Sequence, residues 1–377
     1  MHVLVTGGAG FIGSWLVTSL LEAGHGVTVV DNLSAQIHGH LPRPDCPWLE
    51  ADSRVEFVRG DIRDRSLMDQ LLAKAEAVVH LAAETGTGQS MYQVAHYYEV
   101  NQQATAAMFE AIATKHRHIR RVVLASSRSI YGEGAYRLGN AVTVPGSRDA
   151  QRMEAGQFEP VGPNGEALTL IATPEGVTPA PASIYAATKL ANEVMGRIMA
   201  EAYGLDVIAL RFQNVYGERQ SLRNPYTGIL SIFSNRMRQN LPINIFEDGL
   251  ESRDFVHVSD VVRAIESGLK GAAKGFVVAN VGAGVATPVI EVASLLRELL
   301  GSSSELKVSG DFRAGDIRHC YADLTRARTL LGFEPGMSLK EGLGAFCRWV
   351  ETQPILEDRS KQAQQELSKV GLGRALG

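Results

Sequence analysis

Apolar and polar positions alternate along the first half of the chain in a way that predicts strands and helices in turn. Short apolar runs typical of buried strands are separated by stretches with helical periodicity. The predicted strands cover residues 3–6, 27–30, 55–59, 77–81, 121–125 and 207–212, and the predicted helices cover residues 11–22, 91–116 and 183–203. This order favours an α/β fold with a Rossmann-type doubly wound parallel sheet.

The alternation is broken twice along the chain. Residues 133–182 are rich in glycine, proline and polar residues, which predicts a long excursion with a small hairpin over the mouth of a site. From residue 216 onward, strands and helices become shorter and mixed. We therefore predict a first domain over residues 1–215, a smaller mixed α/β lobe mainly over residues 216–352, and a polar C-terminal tail over residues 353–377.

Composition and charge narrow the class of protein. Hydrophobic residues make up 45% and charged residues 21% of the 377 residues, which is ordinary for a soluble globular protein. The net charge of −4 argues against binding nucleic acid through overall positive charge. The absence of a signal-peptide pattern or a membrane-length apolar run predicts a cytoplasmic protein without membrane contact. Cys46, Cys320 and Cys347 are too far apart in sequence to indicate a zinc site or a disulfide framework.

A glycine-rich loop joins the first predicted strand to the first predicted helix. Gly7 permits a tight turn, Gly10 lets the backbone approach a pyrophosphate, and Gly13 allows the helix to pack closely on the strand. The helix N-terminus then offers free N–H groups and a positive dipole end to phosphates. Such glycines also form ordinary turns, but the strand before them and the helix after them favour a dinucleotide site.

Two acidic residues follow the next two strands. Asp31 ends the second strand, where it would accept a hydrogen bond from a ribose 2′-hydroxyl and would repel a 2′-phosphate. This favours NAD over NADP, although Asp31 taken alone is equally well a turn residue. Asp61 follows the third strand and is expected either to accept from the adenine amino group or to cap the following helix.

Candidate catalytic residues lie further along the chain. Tyr185 and Lys189 are four residues apart on a predicted helix, so the ammonium group would favour the phenolate. With a positively charged nicotinamide nearby, we expect the pKa of Tyr185 to fall far enough for it to act as a base. Ser127 ends a predicted strand at the edge of the sheet where ligands bind. The same residues fit a surface helix and a strand cap, but their order after the glycine loop favours catalysis.

Six stretches in this order resemble the extended short-chain dehydrogenase/reductases, specifically the NAD-dependent nucleotide-sugar epimerase/dehydratase group, over about residues 1–350. The matching stretches are residues 6–13, 80–83, 126–132, 185–189, 210–217 and 253–260. The resemblance implies bound NAD, a nucleotide-sugar substrate and a substrate-binding role for the second lobe. It also implies a homodimer that packs residues 102–116 and 183–203 against a second copy in a four-helix interface.

The resemblance also assigns residues to each ligand. For catalysis it implies Ser127, Tyr185 and Lys189. For the cofactor it implies Gly7, Gly10, Phe11, Ile12, Gly13, Asp31, Asn32, Asp61, Ile62, Leu81, Ala82, Ala83, Asn101, Tyr185 and Lys189. For the substrate it implies Thr85, Arg128, Gln213, Asn214, Arg253 and Arg313. The guanidinium groups of Arg253 and Arg313 suit the phosphate oxygens of such a substrate. The alternative is that both arginines are solvated on the surface.

The residues after Ser127 distinguish between reactions of this family. Dehydratases of the family have an Asp-Glu pair there, but this chain has Arg128 and Ser129, which disfavours dehydration. Residues 216–232 and the long excursion resemble the subgroup assigned as dTDP-L-rhamnose 4-epimerases. The gap between Ser127 and Tyr185 is longer than in UDP-galactose 4-epimerases. Some relatives carry cysteine pairs in the excursion; this chain has none there, so we predict no metal.

Three functions remain in competition at this point. The first is a nucleotide-sugar 4-epimerase, which needs tightly held NAD because the cofactor is regenerated in each turnover. The second is an NAD(H)-dependent reductase, dehydrogenase or decarboxylase on the same scaffold, which would exchange its cofactor. The third is a non-enzymatic dinucleotide sensor, against which the presence of Ser127, Tyr185 and Lys189 together argues.

Overall fold

The computed structural model of the protein describes residues 1–39, 46–49, 53–224, 228–312 and 316–356. The strands in these ranges are β1 His2–Thr6, β2 Gly26–Asp31, β3 Val55–Arg59, β4 Ala77–His80, β5 Arg121–Ser127, β6 Tyr136–Leu138, β7 Ala141–Thr143, β8 Thr169–Leu170, β9 Asp206–Phe212, β10 Asn214–Tyr216, β11 Ile243–Ile245, β12 Ser252–Arg253, β13 Phe255–His257, β14 Phe276–Val281, β15 Thr287–Pro288, β16 Leu306–Val308 and β17 His319–Cys320.

The helices connect and cover these strands. They are α1 Phe11–Glu22, α2 Ala35–His38, α3 Arg65–Leu72, α4 Thr87–Ser90, α5 Val94–Tyr97, α6 Ala104–Thr114, α7 Ala150–Glu154, α8 Ile184–Tyr203, α9 Ile229–Met237, α10 Val258–Lys270, α11 Val289–Leu299, α12 Thr325–Leu331 and α13 Leu339–Thr352. Short 3₁₀ turns lie at Pro47–Leu49 and Arg128–Tyr131, and a π-helical segment, Tyr98–Gln103, joins α5 to α6.

Seven strands form one parallel sheet in the order β3-β2-β1-β4-β5-β9-β14. Every residue of β4 and β9 is buried, as expected for parallel strands covered on both faces by helices. The strand order runs outward in both directions from β1 and β4, which makes their carboxyl ends the switch point where open α/β sheets bind ligands. The predicted Rossmann-type doubly wound sheet is therefore confirmed.

Separate apolar layers cover the two faces of the sheet. On one face, Leu16 and Leu20 of α1 belong to the same buried cluster as Ile265 of α10. On the other face, Leu72 of α3 and Met108 of α6 form part of a second cluster. Burial of each such side chain contributes about 1.5–3 kcal/mol relative to exposure, so these layers hold the strand ends in register.

The predicted long helix over residues 91–116 differs from the observed one. A helical path runs from Val94 to Thr114, but its middle is the π-helical segment Tyr98–Gln103. Periodicity alone does not reveal this widening of the helix, which often accompanies functional sites. By contrast, the predicted helix over residues 183–203 is α8, whose N-cap Ser183 accepts a hydrogen bond from the N–H of Ala186 at 3.1 Å.

The excursion contains the antiparallel hairpin β6–β7, which β8 extends to three strands. After residue 216 the chain builds small sheets and a third apolar cluster that includes Phe233, Leu296 and Phe346. It also returns to the central sheet as its edge strand β14, so the division of the chain near residue 215 stays a prediction. In the ranges given above, no helix is both long and apolar enough to span a membrane.

Candidate active site

A cavity of about 340 Å³ lies at the carboxyl ends of β1, β2, β4, β5 and β9. Fourteen of the residues expected to contact the cofactor line it, as do Ser127, Thr85 and Gln213. The cofactor set comprises Gly7, Gly10, Phe11, Ile12, Gly13, Asp31, Asn32, Asp61, Ile62, Leu81, Ala82, Ala83, Tyr185 and Lys189. The structure therefore brings the glycine loop and the candidate catalytic residues to one cavity.

The glycine loop has the geometry that the sequence predicts. Gly7 adopts a positive φ of 70°, and its N–H donates to the carbonyl oxygen of Val30 at 2.8 Å. A Cβ atom on Gly13 would lie 2.4 Å from the carbonyl oxygen of Gly7, so only glycine lets α1 approach this closely. Gly10 is the N-cap of α1 and supplies no side-chain cap, which leaves the first N–H groups available to a phosphate.

Asp31 is held in place at the end of β2. Its carboxylate accepts the N–H of Ala9 at 3.1 Å and the N–H of Leu33 at 2.9 Å. His38 lies beside it, with Nε2 3.9 Å from Oδ1 of Asp31. Burial lowers the pKa of His38, and the Asp31 carboxylate opposes that shift. A carboxylate fixed in this position at the cavity fits the ribose of NAD.

Asp61 lines the cavity but does not cap the helix that follows. The N-cap of α3 is Asp64, whose side chain accepts the N–H groups of Ser66 and Leu67. Asp61 instead accepts from Arg63 Nε at 2.9 Å and Nη2 at 2.8 Å. The hydrogen bonds from Arg63 are the main reason that the pKa of Asp61 falls to about 2. Of the two interpretations left open for Asp61, the helix cap is therefore wrong.

Tyr185 and Lys189 lie one turn apart on α8, beside the end of β5. The ammonium nitrogen of Lys189 lies 5.8 Å from the centre of the Tyr185 ring and donates to the carbonyl oxygen of Ala125 at 2.8 Å. The hydroxyl of Ser127 shares a hydrogen bond with the Tyr185 side chain. The three candidate catalytic side chains thus meet at one end of the cavity, and the surface-helix interpretation does not hold for Lys189, which is buried.

The predicted lowering of the Tyr185 pKa involves the nicotinamide as well as the groups of the protein. Burial raises the pKa of Tyr185, and the hydrogen bond with Ser127 and the charge of Arg128 only partly offset this effect. Burial also lowers the pKa of Lys189 to about 8, so the ammonium group still carries its charge near neutral pH. Burial therefore acts against the predicted lowering of the Tyr185 pKa, whereas Ser127 and Arg128 act with it. A lowered pKa for Tyr185 depends on the additional positive charge that the nicotinamide supplies when NAD is bound.

Two residues that position the catalytic groups were missed at the level of sequence. The hydroxyl of Ser90 on α4 accepts the backbone N–H of Tyr185 at 3.1 Å. Glu193 on α8 accepts from Ser126 Oγ at 2.5 Å and from Arg211 Nη2 at 2.7 Å, which fixes α8 against β5 and β9. The position of Glu193 four residues after Lys189, on the same helix face, is a signal that the sequence does contain.

Asn101 lies one layer behind the cavity wall rather than on it. Its side-chain oxygen accepts the N–H of Glu84 at 2.8 Å. Its amide nitrogen donates to the carbonyl oxygen of Glu84 at 3.0 Å and to Thr188 Oγ1 at 3.1 Å. Asn101 therefore ties the loop after β4 to the catalytic helix, and the π-helical segment places it there. Its predicted place near the cofactor stays a prediction, because Asn101 holds Glu84, which lines the cavity.

The expected substrate residues separate into two groups. Gln213 and Thr85 line the cavity, and both polar atoms of the buried Gln213 side chain have no hydrogen-bond partner within the described part of the chain. Because an unpaired buried amide is costly, Gln213 fits a residue that meets a polar ligand. Asn214, Arg128 and Arg253 are not among the lining residues.

Arg253 and Arg128 lie close enough to influence each other. Burial and the charge of Arg253 lower the pKa of Arg128. Arg253 donates to the carbonyl oxygens of Ser252, Ile317 and Arg318 at 2.8–3.0 Å, so it is not a freely solvated surface charge. Two guanidinium groups whose charges act on each other favour an anion near both. The prediction for Arg313 lies outside the described residues.

Sequence reasoning also missed part of the cavity wall. One part follows Asp31 in the loop around α2, and the other follows β10. The additional polar lining residues include Ser34, His38, Glu84, Gln220 and Ser221. Their only sequence signal is proximity to a motif, because loops fold onto a site through tertiary contacts. No residue of the excursion is among the lining residues found in the described ranges, so its predicted place over the mouth of the site stays a prediction.

Comparisons with known proteins agree with this geometry. The chain is 37% identical over 352 residues to dTDP-L-rhamnose 4-epimerase of Burkholderia thailandensis, covering 92% of this chain and 94% of that protein. The structure of UDP-glucose 4-epimerase from Thermotoga maritima with UDP-glucose is 30% identical, with a TM-score of 0.75 and coverage of 93% and 99%. The structure of UDP-glucuronic acid 4-epimerase from Bacillus cereus with UDP-glucuronic acid and NAD is 27% identical, with a TM-score of 0.76 and the same coverage. The pattern of the NAD dependent epimerase/dehydratase family matches residues 3–282, and the chain is a member of this NAD-dependent family of enzymes.

Proposed function

We propose that the protein is a nucleotide-sugar 4-epimerase and that dTDP-L-rhamnose is its substrate. The observation that carries the proposal is the shared cavity, in which Ser127, Tyr185 and Lys189 lie with the glycine loop of residues 7–13. A site of this kind can deprotonate a sugar hydroxyl next to the cofactor that oxidises the same carbon. Epimerisation requires no further acid or base.

The residues have separate tasks in the proposed reaction. NAD, when bound, accepts a hydride from C4 of the sugar and later returns it. The Tyr185 phenolate takes the proton of the 4-hydroxyl group, and Ser127 hydrogen-bonds that oxygen. Lys189, fixed to the carbonyl oxygen of Ala125, places a positive charge beside the phenolate. Once the oxidised sugar has turned in the cavity, Tyr185 would return the proton to the 4-oxygen, so the proton taken at the start is recovered at the end of the cycle.

The surroundings of Ser127 support epimerisation over dehydration. Elimination of water across C5 and C6 needs an acid and a base near those carbons. Ser129 donates its hydroxyl to Ser127 Oγ at 3.0 Å and is not a carboxylate. The first acidic residue after Ser127 is Glu133, whose carboxylate accepts the backbone N–H groups of Arg318 and His319 at 2.8–2.9 Å. Glu133 is therefore committed to holding the 318–319 segment.

The choice of sugar follows from a relative and from the polar groups near the cavity. The relative from Burkholderia thailandensis that is named a dTDP-L-rhamnose 4-epimerase aligns with 92% of this chain. The adjacent Arg128 and Arg253 suit the diphosphate of any nucleotide sugar. The unpaired side-chain amide of Gln213 suits a polar group of the nucleotide sugar. Nucleotide deoxysugars and nucleotide hexoses both offer such a group. Substrate identity is thus decided by experiment.

The test is a proton NMR time course of the purified protein with dTDP-L-rhamnose and no added cofactor. Appearance of the C4-inverted, talose-configured product without net NADH is the expected result. No conversion by protein that is shown to hold NAD would remove this substrate, and UDP-hexoses and UDP-uronates would be tested next. Net reduction of NAD or loss of carbon dioxide would replace the epimerase by a dehydrogenase or decarboxylase.

We also propose that two copies pair through α8 and the helix before α6. Val194 and Ile198 on α8 are 45% and 50% exposed, and Val94 and Tyr98 are 41% and 39% exposed. Exposed apolar residues grouped on neighbouring helices are typical of an interface. The exposed apolar residues before α6 lie at positions 94–98, whereas the interface was predicted to use residues 102–116. Light scattering after chromatography should show a dimer that Ile198→Lys converts to a monomer, whereas Leu330→Lys, on the exposed face of α12, should leave it paired.

A further inference from the structure

Three segments that are far apart in sequence meet outside the cavity wall and are joined by side-chain amides. Gln36 on α2 donates to Gln89 Oε1 on α4 at 3.1 Å and accepts from Gln89 Nε2 at 3.0 Å. Gln36 also donates to Asn224 Oδ1, in the segment that follows β10, at 3.4 Å. We call the group of Gln36, Gln89 and Asn224 the amide clasp.

One side of the amide clasp carries part of the cavity wall. Ser34, Ile37 and His38 line the cavity next to Asp31. Of the four residues that form α2, all described, none is buried, and Ser34 at its N-cap makes no side-chain cap hydrogen bond. Such a short helix is not stable by itself. Its position therefore depends on contacts with other segments, which include the amide clasp and a 3.0 Å hydrogen bond from Ser221 Oγ to the carbonyl oxygen of Ile37.

The other side of the amide clasp is firmly anchored. Gln89 is 6% exposed and Asn224 is 3% exposed. The hydroxyl of Tyr97 donates to the carbonyl oxygen of Gly86 at 2.9 Å and lies 3.4 Å from Gln89 Oε1. Ser90, the next residue along α4, holds the backbone of Tyr185. The clasp thus joins the half-buried loop around α2, at the ribose side of the cavity, to the buried region that positions the candidate catalytic tyrosine.

We propose that the amide clasp retains NAD between turnovers. It holds α2 against the cavity beside Asp31, so the dinucleotide leaves only when the hydrogen bonds of Gln36 open and α2 moves outward. Gln36 and Gln89 are therefore residues that position the wall of the cofactor site without contacting the reacting atoms. The inference concerns the cofactor of the family and goes beyond the proposed 4-epimerase reaction, because it requires no particular sugar.

The experiment measures release of NADH from the full-length protein. The protein is loaded with NADH, mixed with excess NAD, and followed by the loss of bound-nicotinamide fluorescence. Gln36→Met keeps the length of the side chain and removes its amide. We expect release to become roughly 10-fold faster, which corresponds to about 1.4 kcal/mol and to the loss of two or three neutral hydrogen bonds. Gln89→Met should have a similar effect.

Two comparisons make the result specific. Because the two glutamines share the two hydrogen bonds that join α2 to α4, the variant with both changes should release NADH little faster than either single variant. Gln151→Met changes an exposed glutamine on α7 and should release NADH at the unchanged rate. Thermal melting identifies any variant that fails to fold; Gln36 is partly exposed on a helix without buried residues, so its substitution should leave the fold intact.

Release at the unchanged rate by folded Gln36→Met would overturn the proposal. The proposal would also be overturned if the two single changes multiplied their effects on the NADH release rate in the double variant. That result would show that the two glutamines act separately. Failure of the protein to epimerise any sugar would contradict the proposed function but would leave the NADH measurement and its interpretation intact.

Discussion

Replacement of Gly13 by alanine tests the geometry of the glycine loop directly. Gly13 is the third residue of α1, and an added Cβ would lie 2.4 Å from Gly7 O, 2.5 Å from Gly8 Cα and 2.8 Å from Gly8 C. All three are backbone atoms, so they cannot move aside as the end of a side chain can. In an ordinary helix, the same change from glycine to alanine stabilises by up to about 1 kcal/mol.

At Gly13 the steric overlap should outweigh the gain in helix propensity. Overpacking of this kind costs about 1–3 kcal/mol, so Gly13→Ala should lower the free energy of unfolding by about 1–2 kcal/mol despite its better helix propensity. The shift of α1 also moves the N–H groups that face the phosphates, so NAD content should fall. Urea unfolding followed by circular dichroism gives the first quantity, and the absorbance of the released cofactor gives the second.

Gly344 on α13 provides a matched control. A Cβ there would meet only Arg348 Nη1 at 3.4 Å, the end of a flexible side chain. Gly344→Ala should therefore stabilise the protein by about 0.5–1 kcal/mol and leave its NAD content unchanged. If Gly13→Ala were as stable as the unchanged protein and kept its full NAD content, the assignment of Gly13 to close helix–strand packing would be refuted.

Three further predictions concern the catalytic end of the cavity. Tyr185→Phe should abolish turnover in the NMR assay while NAD stays bound; retained activity would remove Tyr185 as the base. The rate of epimerisation should rise with pH as the Tyr185 phenolate forms. Ser127→Ala should move this rise to higher pH, because the Ser127 hydrogen bond opposes the effect of burial on the Tyr185 pKa. A pH profile that does not move would contradict this role of Ser127. Ser90→Ala should lower kcat by about fivefold without changing KM, because it removes the one hydrogen bond from the Tyr185 backbone to Ser90. A change of the same size in KM would instead show that Ser90 acts on substrate binding.

Local patterns succeeded where one segment contains all the information. Residues 11–22 and 55–59 form a helix and a strand with the predicted bounds. The turn at Gly7 and the close packing at Gly13 follow from steric rules that act over a few residues. The alternation of strands and helices was enough to predict the doubly wound sheet.

Local patterns failed where the outcome depends on distant segments. Burial raises the pKa of Tyr185 in the protein itself, and the spacing from Lys189 does not report burial. The hydrogen bonds of Asn101 to Glu84 and Thr188 likewise have no local sequence signal, and its contact with the cofactor stays a prediction. The cavity wall around His38 and Ser221 could not be predicted, because loop positions are set by contacts between segments without a shared periodicity.

The sequence by itself determined the fold class, the glycine loop, the preference for NAD and the candidate catalytic residues, because each depends on short-range spacing or on a series of motifs in order. Only the tertiary structure decided which side chains line the cavity, which ones stand behind it, and how burial sets their charge. The amide clasp belongs to this second class, since Gln36, Gln89 and Asn224 are neighbours only after the chain has folded. Desolvation and hydrogen bonding between distant segments are properties of the packed molecule, and no local pattern encodes them.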